Sequence, residues 1–120
     1  MKKLTLAIVS LLILSVVVSF PQIGVAMTDK KVYIRADGTV DGTDKIEQTG
    51  NLYSFTGNIT ATIVVEKNDI TIDGAGYTLS ANSSHGIDLH HRHGVTVKNL
   101  VLKDTYHAFD FTYADDNTII

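Results

Sequence analysis

The stretch Ile63-Val64-Val65-Glu66-Lys67-Asn68-Asp69-Ile70-Thr71-Ile72-Asp73-Gly74-Ala75-Gly76-Tyr77-Thr78-Leu79 decides the fold. It holds three short alternations of apolar and β-branched residues, separated by turns rich in Asn, Asp and Gly. The grammar returns downstream as Ile87-Asp88-Leu89, Val95-Thr96-Val97 and Leu100-Val101-Leu102, then as Phe109-Asp110-Phe111 and Thr118-Ile119-Ile120. Corresponding first strands lie 24 and 22 residues apart, second strands 25 and 23, and Tyr77 lies 23 before Leu100. No window after residue 26 carries the i, i+3, i+4, i+7 stripe of a helix, so the chain reads as all-β. A period of this length without a helix points to a parallel β-solenoid, each repeat one rung and equivalent strands stacking about 4.8 Å apart. The leucine-rich repeat shares the length but needs a Leu and Asn pattern that is missing.

Working outward, alternation assigns faces. Ile63, Val65, Ile70, Ile72, Ile87, Leu89, Val95, Val97, Phe109 and Phe111 are expected inside, whereas Val64, Thr71, Asp88, Thr96 and Asp110 are expected outside. Thr71 over Thr96 forms an outer threonine ladder, and Asp73 falls over Lys98. About three rungs occupy residues 60–120. Residues 27–59 break the period and are expected to form an N-terminal cap, with alternations at Val32-Tyr33-Ile34 and at Leu52-Tyr53-Ser54-Phe55. No comparable cap follows the last rung, so the helix reads as C-terminally incomplete, its end covered by further rungs or by another chain.

Residues 1–26 form a third region. Lys2 and Lys3 precede a 17-residue apolar run from Leu4 to Phe20, and Gly24-Val25-Ala26 supplies the small residues of a cleavage site. This is the pattern of a secretory signal peptide, with an uncleaved N-terminal anchor as the alternative. Either way the folded part is expected to be secreted or held at the cell surface, in contact with a membrane only through this segment. Loss of Lys2 and Lys3 takes the net charge from −3 to −5, which makes the domain a poor nucleic-acid binder. At 44% hydrophobic and 19% charged the 120-residue chain is not a disordered one, and the absence of cysteine excludes disulfides and thiolate metal sites.

The run from Ile63 to Leu79, with Gly86-Ile87-Asp88-Leu89 and Val95-Thr96-Val97-Lys98-Asn99-Leu100, resembles the opening rungs of secreted right-handed parallel β-helix proteins, the NosD-like and pectate-lyase-like surface proteins common in archaea. Val32-Tyr33-Ile34-Arg35-Ala36-Asp37-Gly38 and Phe55-Thr56-Gly57-Asn58-Ile59 are similar to their cap. The resemblance implies a right-handed coil and leaves function open, because such folds host lyases, hydrolases, adhesins and copper-enzyme maturation factors. It also implies that Asp73-Gly74-Ala75-Gly76 is an early structural turn without a catalytic residue. The chain departs from the family at His90-His91-Arg92-His93-Gly94, where a Ser/Gly/Arg/Asn turn is usual.

That departure is the sharpest chemical feature. His90, His91 and His93, with His85 and His107 nearby, are candidate ligands for copper or zinc. Their spacing matches no standard site, and solvated turn histidines, with Glu66 stacked beside His90, are the simpler reading. Asp37-Gly38-Thr39-Val40-Asp41-Gly42 opens like a calcium loop, but its twelfth position is Gln48 where a bidentate Glu is required, so a capping turn is expected. Asp115-Asp116 and the stacked Asp88 and Asp110 are the carboxylate pairs a glycosidase would need. No Arg or Lys stands beside Asp115 and Asp116 to serve as a lyase base. Asn58-Ile59-Thr60 and Asn82-Ser83-Ser84 match the N-glycosylation sequon. The expectation is a non-catalytic extracytoplasmic module, with no assigned catalytic residue or cofactor, that binds polysaccharide or an envelope or protein surface along its outer faces. The alternatives are the N-terminal part of a carbohydrate-active enzyme with catalytic rungs beyond residue 120, and a NosD-like copper-handling protein.

Overall fold

The structure, a computed structural model, describes residues 31–120; the segment 1–26, expected to be a signal peptide, and the start of the expected cap lie outside the described residues. Thirteen short strands make up about half of these residues, and no helix is present among them. In chain order they are β1 (Lys31–Ile34), β2 (Val40–Asp41), β3 (Ile46–Thr49), β4 (Leu52–Phe55), β5 (Ile59–Thr60), β6 (Thr62–Val65) and β7 (Thr71–Asp73). There follow β8 (Thr78–Ser80), β9 (His85–Asp88), β10 (Thr96–Lys98), β11 (Val101–Lys103), β12 (His107–Asp110) and β13 (Thr118–Ile119).

Three sheets share these strands. Their orders are β12-β9-β6-β1-β2, β13-β10-β7-β4-β3 and β11-β8-β5, and every pairing is parallel except β1 with β2 and β3 with β4. Each sheet thus takes its strands from successive passes of the chain. The register is that of the sequence repeat: Ile63 pairs with Ile87 and Ile87 with Phe109, Ile72 pairs with Val97, and Leu79 pairs with Leu102.

Residues 32–59, expected to stand outside the repeat, instead supply a strand to each sheet. β1 runs parallel to β6, β4 to β7 and β5 to β8. Only the excursion through β2 and β3 runs antiparallel, closing the edges that β1 and β4 would otherwise expose. The period is hidden here because that excursion puts Lys31 and its partner Thr62 31 residues apart, well beyond the later spacing.

The strands are short because the chain bends at left-handed residues that recur with the repeat. Positive φ is found at Ala75 and Asn99, at Asn82 and Asp104, at His91 and Tyr113, and at Asp69, Gly94 and Asp116. Asn, Asp and Gly tolerate this conformation best, which is why they fill the turns.

Rows of apolar side chains face one another between the sheets. Val32, Ile63 and Ile87 are buried in one row, Tyr53, Ile72 and Val97 in the second, Ile59 and Leu79 in the third. Each such side chain contributes about 1.5–3 kcal/mol relative to exposure. Burial fades on the last strand of each sheet. Phe109 and Leu102 are only half-buried, Ile119 is 45% exposed, and Phe111, expected inside, is 44% exposed. Strands β11 to β13 have a neighbour on one side only, so an inward-pointing ring there meets protein on one side and solvent on the other.

The buried polar groups are satisfied. Tyr53 donates its hydroxyl to the Gly38 carbonyl at 2.7 Å, and Thr62 donates to the His85 carbonyl at 2.7 Å. Burial next to Asp37 pushes the Tyr53 phenol above its usual range.

Candidate functional site

The outer surface of the first sheet is built by register. Asp41, Tyr33, Val64, Asp88 and Asp110 lie side by side across β2, β1, β6, β9 and β12. Asp88 and Asp110 stack as expected, and each also shapes its own corner. Oδ1 of Asp88 accepts the His90 N–H at 2.9 Å, and Oδ1 of Asp110 accepts the Thr112 N–H at 2.9 Å and its hydroxyl at 2.6 Å. These Asx turns end the two strands in the same way. The two Thr112 donors, with His85 and His90 adding to them, hold the Asp110 carboxyl below the usual carboxylate range.

The ladder continues beyond the strands. Leu89 N–H donates to the Asp110 carbonyl and His91 N–H to the Thr112 carbonyl, which brings the corner of one pass onto the corner of the next. The His91 ring therefore stacks on Tyr113, with centroids 5.1 Å apart and planes 9° from parallel. His90 meets His91 edge-on at 4.1 Å. At the other end of the strands the His85 and His107 rings are 5.1 Å apart, and Tyr106 meets His107 edge-on at 4.4 Å. Between the two ends, His85 Nδ1 lies 3.9 Å from Asp110 Oδ2.

The candidate metal trio is not assembled. His90 and His91 sit together, but His93 turns to Asp69, its Nδ1 3.7 Å from Oδ1, and no group of three His, Cys, Asp or Glu side chains among the described residues could hold a metal ion. The Glu66 with His90 pairing is replaced as well. Glu66 accepts from Arg35 Nη1 at 3.1 Å, and its carbonyl accepts from Arg92 Nη1 at 2.9 Å. Arginine offers several donors to both partners, and it wins because Arg35 already leans over the Tyr33 ring at 4.1 Å beside Glu66.

In the calcium-like loop, Asp37 accepts the Thr39 N–H and hydroxyl, which hold its carboxyl below the usual range, and Asp41 accepts from Arg35 at 2.9 Å. Its oxygens serve a protein turn. Asp73 does lie opposite Lys98, but its carboxylate accepts the Ala75 N–H at 2.9 Å and the Asn99 amide at 3.2 Å. Those two donors lower its carboxyl first, with Lys98 contributing least. Asp115 and Asp116 are exposed in the turn before β13. Asn58 and Asn82 are both exposed, and the Asn58 side-chain oxygen accepts the Thr78 N–H at 2.9 Å.

Tyr106 and Tyr113 belong to no motif, and the sequence marks them only by position, Tyr113 standing 22 residues after His91 in a turn otherwise made of small and polar residues. Comparison with protein-family models, with curated proteins and with solved structures finds no match.

Proposed function

We propose that the chain is a right-handed parallel β-helix, akin to the NosD-like and pectate-lyase-like surface proteins, and that it works outside the cytoplasm as a non-catalytic module that binds polysaccharide or an envelope surface along its outer faces. The coil reading is supported by three sheets in which strands from successive passes pair in parallel. Its hand follows from the strong preference of parallel crossover connections such as β6 to β9 for the right-handed sense. The observation that carries the binding reading is the outer row of the first sheet. There, stacked strands set polar and aromatic side chains side by side at strand spacing along a solvent-facing surface, a geometry suited to a long polymer. Export rests on the pattern of residues 1–26.

Two measurements test this. Electrophoresis through gels containing soluble polysaccharides should retard the protein in at least one of them; equal mobility in every gel, together with no sedimentation with cell envelopes, overturns the binding reading. Mass spectrometry of the exported protein should give an N-terminus at Met27, and a cell-associated chain starting at Met1 overturns cleavage in favour of an anchor.

A further inference from the structure

Two groups of side chains in contact flank the stacked Asp88 and Asp110 of β9 and β12. Tyr106 packs on His107, His107 on His85, and His85 approaches Asp110. On the far side of the carboxylates the face ends in the His91 and Tyr113 stack, with His90 5.9 Å from the Tyr113 ring. The two tyrosines that close this line are 74% and 79% exposed. We infer that this face is a binding site for a neutral glycan, whose sugar rings stack on Tyr106 at one end and on the Tyr113 and His91 pair at the other, and whose hydroxyls donate to Asp88 and Asp110 between them. The inference rests on the polysaccharide reading above and narrows it to one surface and one class of sugar.

Three observations carry it. Exposed aromatic rings offer flat apolar faces that the C–H faces of a sugar can cover, while the sugar's hydroxyls remain free for polar groups alongside. An ionised carboxylate only accepts hydrogen bonds, and the Asx turns occupy one oxygen of each Asp, leaving Asp110 Oδ2 to take hydroxyl donors. A uronate or sulfate chain would bring like charge against the same pair. The nearby cation Arg92 is occupied by the carbonyls of Glu66 and His90.

The third observation is conformational. Among the described residues without a positive-φ glycine, the left-handed positions are filled by Asp, Ala, Asn and Ser, except at His91 (φ 58) and Tyr113 (φ 54). Histidine adopts that conformation readily, but the bulky ring of Tyr113 in it is disfavoured, and strain retained at a surface corner points to use of the side chain it presents. Tyr106 and Tyr113 are seven residue steps apart, at most about 25 Å, a separation within the reach of an oligosaccharide.

The test is calorimetric titration of the whole exported protein with cellohexaose, chitohexaose, mannohexaose and hexagalacturonate at pH 8. At least one neutral hexasaccharide should bind more tightly than hexagalacturonate. Tyr113→Ala and Tyr106→Ala should each weaken that binding at least tenfold, Tyr113→Phe by less than threefold, and melting temperatures should show all three folded. If Tyr113→Ala fails to fold, Tyr106→Ala decides alone. Neutral-glycan binding indifferent to the tyrosine substitutions places the site elsewhere, and preference for hexagalacturonate refutes the sugar class; in both cases the polysaccharide reading stands. No binding of any hexasaccharide overturns the site, and, with free mobility in every polysaccharide gel, the broader reading too.

Discussion

A Cβ at Gly74 would fall 2.5 Å from the Asn99 carbonyl oxygen and 2.6 Å from Leu100 Cα, so this corner of one pass rests directly on the backbone of the next. Gly74→Ala should therefore cost ~1–3 kcal/mol through overpacking, read as a lowered denaturant midpoint; an unchanged midpoint would mean the passes are not in contact there. Leu89 is fully buried, and Leu89→Asp should cost well above ~3 kcal/mol as an unpaired charge in the core. A native circular dichroism spectrum and melting point in that variant would contradict the register. Asp110→Asn is expected to be mild, within about 1 kcal/mol, because an amide oxygen can still accept the Thr112 N–H. Acid should act through Asp37, Asp73 and Asp110, whose carboxyls the folded chain holds lower than usual. The unfolded chain then takes up more protons as pH falls, so their stabilisation is complete at neutral pH and is lost progressively below about pH 4. Melting temperature followed from pH 6 to pH 2 should fall in that window, and less steeply in Asp73→Asn.

Asparagines tie strands and corners of neighbouring passes at the element scale. Asn58 accepts the Thr78 N–H, Asn68 accepts the His93 N–H, and Asn117 accepts the Val95 N–H while donating to the Arg92 carbonyl at 3.0 Å. Asn117→Ala removes both of its bonds and should destabilise by ~1–3 kcal/mol, with faster amide exchange at Val95 than in the unmodified protein. Equal exchange would assign the asparagine no part in holding that corner. From Thr62 onward, strand existence and register were legible from alternation and period together, because Ile63, Ile87 and Phe109 keep one face at nearly constant spacing; before it, the strands showed in alternation but their register did not. Side-chain partners at the corners were not. Glu66 could be placed beside His90 by counting, yet Arg35, 31 residues upstream, takes it across a pairing that the antiparallel excursion hides. The histidine run suggested one cluster at His90, His91 and His93, but the left-handed turn at His91 sends His93 the other way, to Asp69. Tyr106 and Tyr113 were invisible as site residues because an exposed tyrosine in a turn has no sequence signature until the stacking of passes gives it neighbours.

For the whole molecule, the proposed coil makes stability a sum over neighbouring passes, and strands at the end of each sheet have a partner on one side only. Exposed Val101, Phe111 and Ile119 lie on or beside these strands, so the polypeptide 27–120 should associate as its concentration rises. Light scattering that stays at the mass of one chain at millimolar concentration would contradict this. The side-by-side stacking of in-register parallel strands also has a mechanical meaning. Backbone hydrogen bonds point along the stacking direction, so tension applied between the first and last strands of one sheet pulls each ladder open in sequence instead of shearing all of it at once. Each later pass, from β6 onward, would on peeling away release some 22–25 residues, which extend by about 70–85 Å. A single molecule stretched between its ends should therefore yield at low force in regular steps, behaving as a spring with countable coils and not as a block that breaks once.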